Sequence, residues 1–291
     1  MKKFFGADIA LILSMVVFGT IGLFVRNIPV SSSEIALYRA VLASVIIGAF
    51  LLFKKEKIEL SKIKKELPLL IFSGVAMGFN WILLFEAYKY TTVSAATLAY
   101  YFAPVIVTVA CPILFREKMG MKEWICFGAS TLGIVLVTGI GNLGEGNHLL
   151  GILLGLGAAC LYASVVLLNK FIKNVGGIQR TFLQFVSAIA VLFPYVLFTQ
   201  GINLSSLDVS GWGCLVTVGV VHTGIAYCMY FSSLGSLPGQ RVAILSYIDP
   251  LVAVLLSVFV LGEKMLPIQI VGGALILGFT LWNEIGIKKK Q

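Results

Sequence analysis

Apolar segments about twenty residues long alternate with short polar segments along the whole chain. A helix of about 20 apolar residues spans the roughly 30 Å hydrocarbon core of a bilayer. The pattern therefore predicts ten membrane-spanning helices. Their approximate limits are residues 7–25, 34–53, 67–89, 91–115, 121–138, 149–171, 178–198, 210–231, 239–261 and 265–285.

Composition points to the same class of protein, since 59% of the 291 residues are hydrophobic, 12% are charged and the mean hydropathy is +0.99. We therefore expect an all-α integral membrane protein. No small-residue cleavage site follows the first apolar segment, which favours a retained helix over a signal peptide. The cysteines lie in apolar segments without a CxxC motif, so neither a disulfide framework nor a zinc site is predicted. The cysteines are Cys111, Cys126, Cys160, Cys214 and Cys228. No other metal and no cofactor is expected.

Lysine and arginine residues are concentrated in every second loop. If the N-terminus is cytoplasmic, the inner loops and tails hold 17 of these residues and the outer loops hold three, Arg26, Lys89 and Lys264. The positive-inside rule then predicts a multi-pass protein of the cell membrane, in contact with its lipids, with both termini cytoplasmic. This distribution also accounts for the net charge of +9 without a nucleic-acid partner.

A short pattern occurs twice in the chain, with corresponding positions 146 residues apart (250−104, 263−117). Tyr101, Pro104 and Glu117-Lys118-Met119 recur as Tyr247, Pro250 and Glu263-Lys264-Met265. Each half has five predicted spans, an odd number, so the second half must cross the membrane in the opposite orientation to the first. Inverted repeats of this kind are common in secondary transporters, whose binding sites lie near the midplane between the repeats, often where helices are broken.

The ends of the two halves also carry a family pattern. Each has an apolar helix with a central proline, followed by Phe115-Arg116-Glu117-Lys118 in one half and Leu261-Gly262-Glu263-Lys264 in the other. With Arg39 in the second span and the segments AYKYT (87–91) and SAA (94–96), the chain resembles the ten-helix EamA-type members of the drug/metabolite transporter superfamily.

That resemblance implies two EamA domains, residues 1–140 and 147–287, with five helices each. It also implies a central cavity between the two halves and transport by alternating access, commonly in the direction of export. Relatives handle amino acids, nucleosides, quaternary amines and sugar phosphates, so the resemblance does not name a substrate.

The predicted ninth span contains unusual polar positions. Residues 242–260 are apolar apart from Ser246, Tyr247, Asp249 and Pro250. A carboxylate at this depth costs about 2.5–3.5 kcal/mol on insertion scales, and Pro250 removes a helical N–H group. We interpret this segment as part of a binding site. The alternative is that Asp249 only hydrogen-bonds a neighbouring helix.

His222 lies near the middle of the eighth span, and with Asp249 it could form a proton relay or bind an amino group. The alternative is a hydrogen bond that simply locks spans eight and nine together. Arg39 and Glu86, each in the outer third of its span, could form a gate or a structural ion pair. Arg39 could instead receive a substrate carboxylate, since its planar fork suits bidentate binding.

Other residues are predicted to shape the pocket. The substrate-binding candidates are Asn80, Trp81, Tyr101, Ser246 and Tyr247. The aromatic candidates for a cage around an organic cation, with Glu86 or Asp249, are Trp81, Tyr88, Tyr100, Tyr101, Tyr227 and Tyr247. Ordinary packing against lipid or protein is the alternative for any one of these rings.

Other functional classes lack their motifs in this chain. With His148 in a loop and His222 in a span there is no HExxH pattern, and no P-loop occurs, so neither an enzyme nor an ATP-driven pump is expected. The sequence predicts a secondary transporter, proton-linked or facilitative, of a small polar metabolite, with amino acids the leading substrates. The main alternative is an exporter of organic cations, and a receptor or scaffold is a third. The protein would act as a monomer or a homodimer.

Overall fold

The computed structural model describes residues 2–55, 63–115, 120–138, 146–234, 237 and 245–285, and within these ranges the chain is helical with no β-strand. We number the α-helices in chain order. They are α1 Lys2–Gly19, α2 Ile21–Val25, α3 Ser32–Phe53, α4 Leu67–Tyr90, α5 Val93–Tyr100, α6 Ala103–Phe115, α7 Met121–Thr138, α8 Gly146–Asn169, α9 Gly177–Thr199, α10 Val209–Thr217, α11 Ala226–Leu234, α12 Ile248–Phe259 and α13 Pro267–Ile285. A π-helix, Val218–Ile225, joins α10 to α11.

Six segments of the described chain are both long and apolar enough to cross a bilayer. They are Gly6–Val25, Ser32–Phe53, Leu67–Tyr90, Asn147–Asn169, Gly177–Thr199 and Val209–Ser233. Shorter apolar helices cover Val93–Val107, Ile248–Phe259 and Pro267–Asn283. The structure is therefore that of an all-helical, multi-pass membrane protein, and the count of ten spans stays a prediction. Residues 116–119, 239–244 and 288–290, which contributed to the predicted repeat, ninth span and basic tail, lie outside the described residues.

The predicted fourth span is not one continuous helix. It breaks at Tyr101 and Phe102, between α5 and α6, so the predicted span over 91–115 consists of two consecutive helices. Pro104 lies in the first turn of α6, where a missing N–H group is tolerated, whereas a continuous helix would bring its ring against the carbonyl of Tyr100. Pro250 likewise lies in the first turn of α12. Asp249 is therefore at a helix start, where the positive end of the helix dipole favours a carboxylate.

The corresponding helices of the two halves make corresponding contacts. α9 packs against α4, and α3 packs against the π-helix. Adding 146 to the residue numbers of α3 gives residues 178–199 of α9, and subtracting 146 from those of the π-helix gives residues 72–79 of α4. Gly78 of α4 faces Leu192, and Gly224 of the π-helix faces Ile46, which are the same two positions (224−78, 192−46). α7 and α13 cross where Gly133 and Gly272 bring the backbones together. Small residues at such crossings allow close packing of membrane helices.

Candidate functional site

A cavity of about 440 Å³ lies between the two halves, a size typical of small-molecule sites. Helices α1 to α6, α8, α9, α11 and α12 all contribute to its wall. Most of the larger side chains in the wall are aromatic. They are Phe18, Trp81, Phe85, Tyr88, Tyr100, Tyr101, Tyr162, Tyr227, Tyr230, Phe231 and Tyr247. Of the residues predicted to form the pocket, Trp81, Tyr101, Ser246 and Tyr247 lie in this wall.

Arg39 is one of two charged residues in the described part of the wall. It lies on α3, which starts with a capping box in which Ser31 and Glu34 bond each other's backbone N–H groups. Its guanidinium carbon lies 4.2 Å from the ring centre of Trp81 and 5.2 Å from that of Phe85, and its Nε donates to Thr223 Oγ1 at 3.0 Å. No carboxylate of the described residues pairs with this buried cation. Its terminal N–H groups are therefore available to a ligand.

Asp249 is the second charged residue in the wall. Its Oδ2 accepts a hydrogen bond of 2.5 Å from the hydroxyl of Tyr101, across the break between α5 and α6. Within the described ranges, no lysine, arginine or histidine forms an ion pair with it. Among the described residues the cavity wall therefore holds one cation and one anion, on α3 and α12, and these two groups form no ion pair with each other.

His222 does not bond Asp249. Its Nε2 lies 2.7 Å from Thr20 Oγ1, at the junction of α1 and α2, and its Nδ1 lies 3.2 Å from the carbonyl of Thr217. His222 is buried but is absent from the described cavity wall. The π-helix explains the placement, because its wider turns direct the consecutive residues His222 and Thr223 toward Thr20 and Arg39. A relay through a direct contact between His222 and Asp249 is thus not present in this structure.

The Arg39–Glu86 pair is not present either. Glu86 Oε2 accepts from Ser32 Oγ at 2.6 Å and from Lys89 Nζ at 2.9 Å. Asn80 is buried and donates to the carbonyl of Ala158 at 2.6 Å, which ties α4 to α8. Neither Glu86 nor Asn80 appears in the described cavity wall. Both side chains have partners that explain them as contacts between neighbouring structural elements.

The wall residues that the sequence analysis did not name include two amides, Asn169 at the end of α8 and Gln184 in α9. Gln184 Nε2 donates to Asn169 Oδ1 at 2.8 Å and to Ser73 Oγ at 2.7 Å. The signal that points to them is the same one that led to Asp249, a polar side chain within or at the end of an apolar span.

Beside the cavity, a polar cluster joins α2, α5 and α12. Glu263 forms an ion pair of 2.5 Å with Arg26, and its two oxygens accept from the backbone N–H of Val93 at 3.1 and 2.9 Å. Ser257 also donates to Glu263. Gly262, with φ +66°, adopts the left-handed conformation that lets the chain after α12 turn back toward α5. This geometry accounts for the Leu-Gly-Glu sequence after α12.

Comparisons with known proteins agree with this architecture. A family model described as the EamA-like transporter family matches residues 5–139 and again residues 149–283. The "Uncharacterized transporter YxxF" of Bacillus subtilis (strain 168) is 32% identical over 268 residues, covering 89% of this chain and 83% of that protein. An "Uncharacterized transporter" of Archaeoglobus fulgidus is 27% identical over 281 residues, covering 95% of this chain and 96% of that protein.

The fold is shared with a solved protein as well. A crystal structure aligns over 94% of this chain and 95% of the other with a TM-score of 0.64 and 18% identity, which shows a common fold. The two matches of the family model together cover most of the 291 residues. The chain therefore belongs to the EamA-like transporter family, and it is a multi-pass membrane transporter rather than an enzyme.

Proposed function

We propose that this protein is a secondary transporter that exports a small amphoteric metabolite, with amino acids the leading class. The observation that carries the proposal is the pair of unneutralised, opposite charges, Arg39 and Asp249, in one aromatic cavity. A ligand with one carboxylate and one ammonium group would neutralise both. Uncompensated charges inside a membrane are costly, so residues of this kind are most often retained for a substrate or ion.

Arg39 is proposed to bind the substrate carboxylate. Its Nε is engaged by Thr223 and its flat face by Trp81, which leaves the edge with the terminal N–H groups for a bidentate contact. Stacking and the Thr223 bond restrict the side chain before the ligand arrives. A restricted site loses less conformational entropy on binding.

Asp249 is proposed to bind the amino group of the substrate or, in its absence, a proton. Tyr101 occupies Oδ2, and Oδ1 has no donor among the described side chains. Competition between a proton and an ammonium group for one carboxylate would couple transport to a proton gradient. His222 is proposed to act on Arg39 indirectly. Its ring bonds Thr20 beside α1, and the neighbouring residue Thr223 accepts the hydrogen bond from Arg39.

Alternating access is proposed to follow from two inverted five-helix repeats in the cell membrane with cytoplasmic termini. The matched contacts of Gly78 and Gly224 support the repeat, and the distribution of lysine and arginine supports the orientation. The cluster of Arg26 and Glu263 then lies on the outer side. It would have to open in the outward-facing state.

The test is a thermal-shift screen of the purified protein with amino acids and their decarboxylated amines, followed by counterflow in liposomes. A ligand that binds the native state raises its apparent stability. We expect amino acids to shift the transition, and Asp249→Asn to abolish both this shift and flux driven by a pH gradient. Asp208→Asn is the matched control, since Asp208 caps α10 outside the cavity. Unchanged proton-driven flux in Asp249→Asn would contradict the proposed role of Asp249.

A second candidate function is export of organic cations, favoured by the eleven aromatic rings of the wall. A ring face attracts a desolvated quaternary ammonium group by up to about 2 kcal/mol. Arg39 separates the two functions. Replacement of Arg39 by methionine should strongly lower the affinity for amino acids, whereas it should leave binding of a quaternary amine intact or improve it.

A further inference from the structure

The amide groups of Asn169 and Gln184 form a polar patch where the cavity wall meets the turn between α8 and α9. Both hydrogens of Gln184 Nε2 are used, one by Asn169 Oδ1 and the other by Ser73 Oγ. These bonds fix the orientation of the Gln184 amide, which is only 1% exposed. The polar groups left over are the acceptor Oε1 of Gln184 and the donor Nδ2 of Asn169.

The contact between the two amides leaves hydrogen-bonding groups unused. Two amides that serve only each other form a ring with two reciprocal N–H···O bonds, and here only one of the two bonds is made. Among the described residues nothing donates to Gln184 Oε1 and nothing accepts from Asn169 Nδ2. Both residues line the cavity, and a hydrogen bond contributes about 0.5–1.5 kcal/mol net, so a ligand group complementary to both atoms would gain from this pair.

The patch belongs to the same wall as Arg39. Phe185 follows Gln184, its ring packs against Trp81 with centres 5.2 Å apart, and Trp81 in turn stacks on Arg39. Ser73 and Trp81 are eight residues apart on α4, which is about 12 Å of helix rise. The amide pair and the guanidinium therefore lie at different depths of one cavity. A substrate with its carboxylate at Arg39 can extend its side chain toward Asn169 and Gln184.

We propose that Asn169 and Gln184 form a side-chain subsite for a primary carboxamide. The N–H of the ligand amide would donate to Gln184 Oε1, and its C=O would accept from Asn169 Nδ2. This inference rests on the proposed function and narrows it, since it names amide-bearing amino acids as preferred over apolar ones of the same size. A site built to hydrogen-bond a ligand group discriminates strongly against analogues without that group.

The test compares L-glutamine with L-methionine, whose side chain is of similar length but has no amide. We expect thermal-shift titrations to give glutamine an apparent Kd at least about tenfold lower in the unmodified protein. Asn169→Asp keeps the acceptor for Gln184 and removes the donor to the ligand. It should abolish the advantage of glutamine over methionine.

Gln184→Met serves as a second variant in case the new carboxylate at position 169 disturbs folding, and it should abolish the same advantage. Asn203→Asp is the matched control, an identical exchange on the exposed loop after α9, and should retain the advantage. Equal affinity for glutamine and methionine in the unmodified protein would overturn the subsite. Survival of the preference in both cavity variants would do the same.

Valeramide, which has the amide but neither α-group, separates failure of this inference from failure of the proposed function. If no amino acid binds and valeramide shifts the unmodified protein but not Asn169→Asp, the subsite stands and the amphoteric substrate is wrong. If amino acids bind without preference for the amide, the proposed function stands and the subsite is wrong. If neither kind of probe binds, both are overturned.

Discussion

The two halves of the chain build the cavity wall from corresponding positions, but only some of these positions carry the same chemistry. Trp81 and Tyr227 are both aromatic (227−81 = 146), as are Phe85 and Phe231, and all four lie in the wall. Arg39, by contrast, corresponds to Phe185 (185−39 = 146), and Asp249 corresponds to Ala103 (249−103 = 146). The aromatic frame is shared by the halves, whereas each charge belongs to one half only.

Because of this difference, a cavity built from two similar halves has a positive group on one side and a negative group on the other. Had both halves kept an arginine and an aspartate, the cavity would contain four charges that could neutralise one another. With one of each, on α3 and α12, the cavity instead fits a ligand that has a positive and a negative end. The repeat thus accounts for the shape of the site, and its divergence accounts for the proposed ligand chemistry.

The largest expected effect comes from removing the asymmetry at Arg39. Arg39→Phe makes the first half resemble the second at this position and deletes the proposed carboxylate contact. We expect the affinity for an amino acid to fall on the order of 100-fold, or about 2.7 kcal/mol. The affinity for the decarboxylated amine should barely change. Titration by thermal shift measures both, and an equal loss for both ligands would show that Arg39 acts on the fold and not on the carboxylate.

The next effect concerns two glutamates whose side chains are mostly buried, Glu66 in the first half and Glu263 in the second. Glu66 accepts from backbone N–H groups of Lys173 and Asn174, which a glutamine oxygen can also do, whereas Glu263 additionally pairs with Arg26. We expect Glu263→Gln to lower the free energy of unfolding by about 2 kcal/mol, and Glu66→Gln by about half as much. Thermal unfolding in detergent shows which variant loses more stability. Similar transition temperatures for the two variants would contradict this prediction.

A smaller difference is expected at the two corresponding glycines. A Cβ at Gly224 would lie 2.9 Å from the branched Cβ of Ile46, whereas one at Gly78 would lie 3.1 Å from the flexible end of Leu192. Gly224→Ala should therefore destabilise by about 1–2 kcal/mol, and Gly78→Ala by less than about 1 kcal/mol. Gly278→Ala is the control, because nothing lies within 4 Å of its added Cβ. A larger cost at Gly78 would show that the two crossings are not packed as described.

The smallest effect distinguishes the two corresponding tyrosines. Tyr101 donates to Asp249, and the position that corresponds to Asp249 for Tyr247 is Ala103, which has no polar side chain. Tyr101→Phe should change amine affinity about fivefold, the equivalent of one hydrogen bond of about 1 kcal/mol, and Tyr247→Phe should change it less. Binding titrations with the same amine decide this. Equal effects would mean that Tyr101 does not act through Asp249.

Several features were predictable because they depend on local chemistry. The apolar runs require helices that bury their backbone hydrogen bonds in lipid, and Pro104 and Pro250 mark the levels at which α6 and α12 begin. Trp81, Tyr101, Tyr247 and Asp249 were expected at the cavity from their type and depth, and they line it. Arg39 also lines it, although the sequence offered a gate or an ion pair with Glu86 as its role as well as a carboxylate contact. Side-chain pairing was not predictable, because the sequence offers several polar groups at similar depth as partners for His222 and for Glu86.

The amino-acid sequence by itself determined the membrane class, the family, the internal repeat and the depth of the polar residues, since hydropathy, spacing and motifs are properties of the chain. Only the tertiary structure decided that Asp249 bonds Tyr101 and not His222, that Arg39 stacks on Trp81 and not beside Glu86, and that Asn169 meets Gln184. The physical reason is directional. A hydrogen bond requires donor and acceptor within about 3 Å at a favourable angle, and the rotation of each helix, which the π-helix alters locally, decides which groups meet that condition.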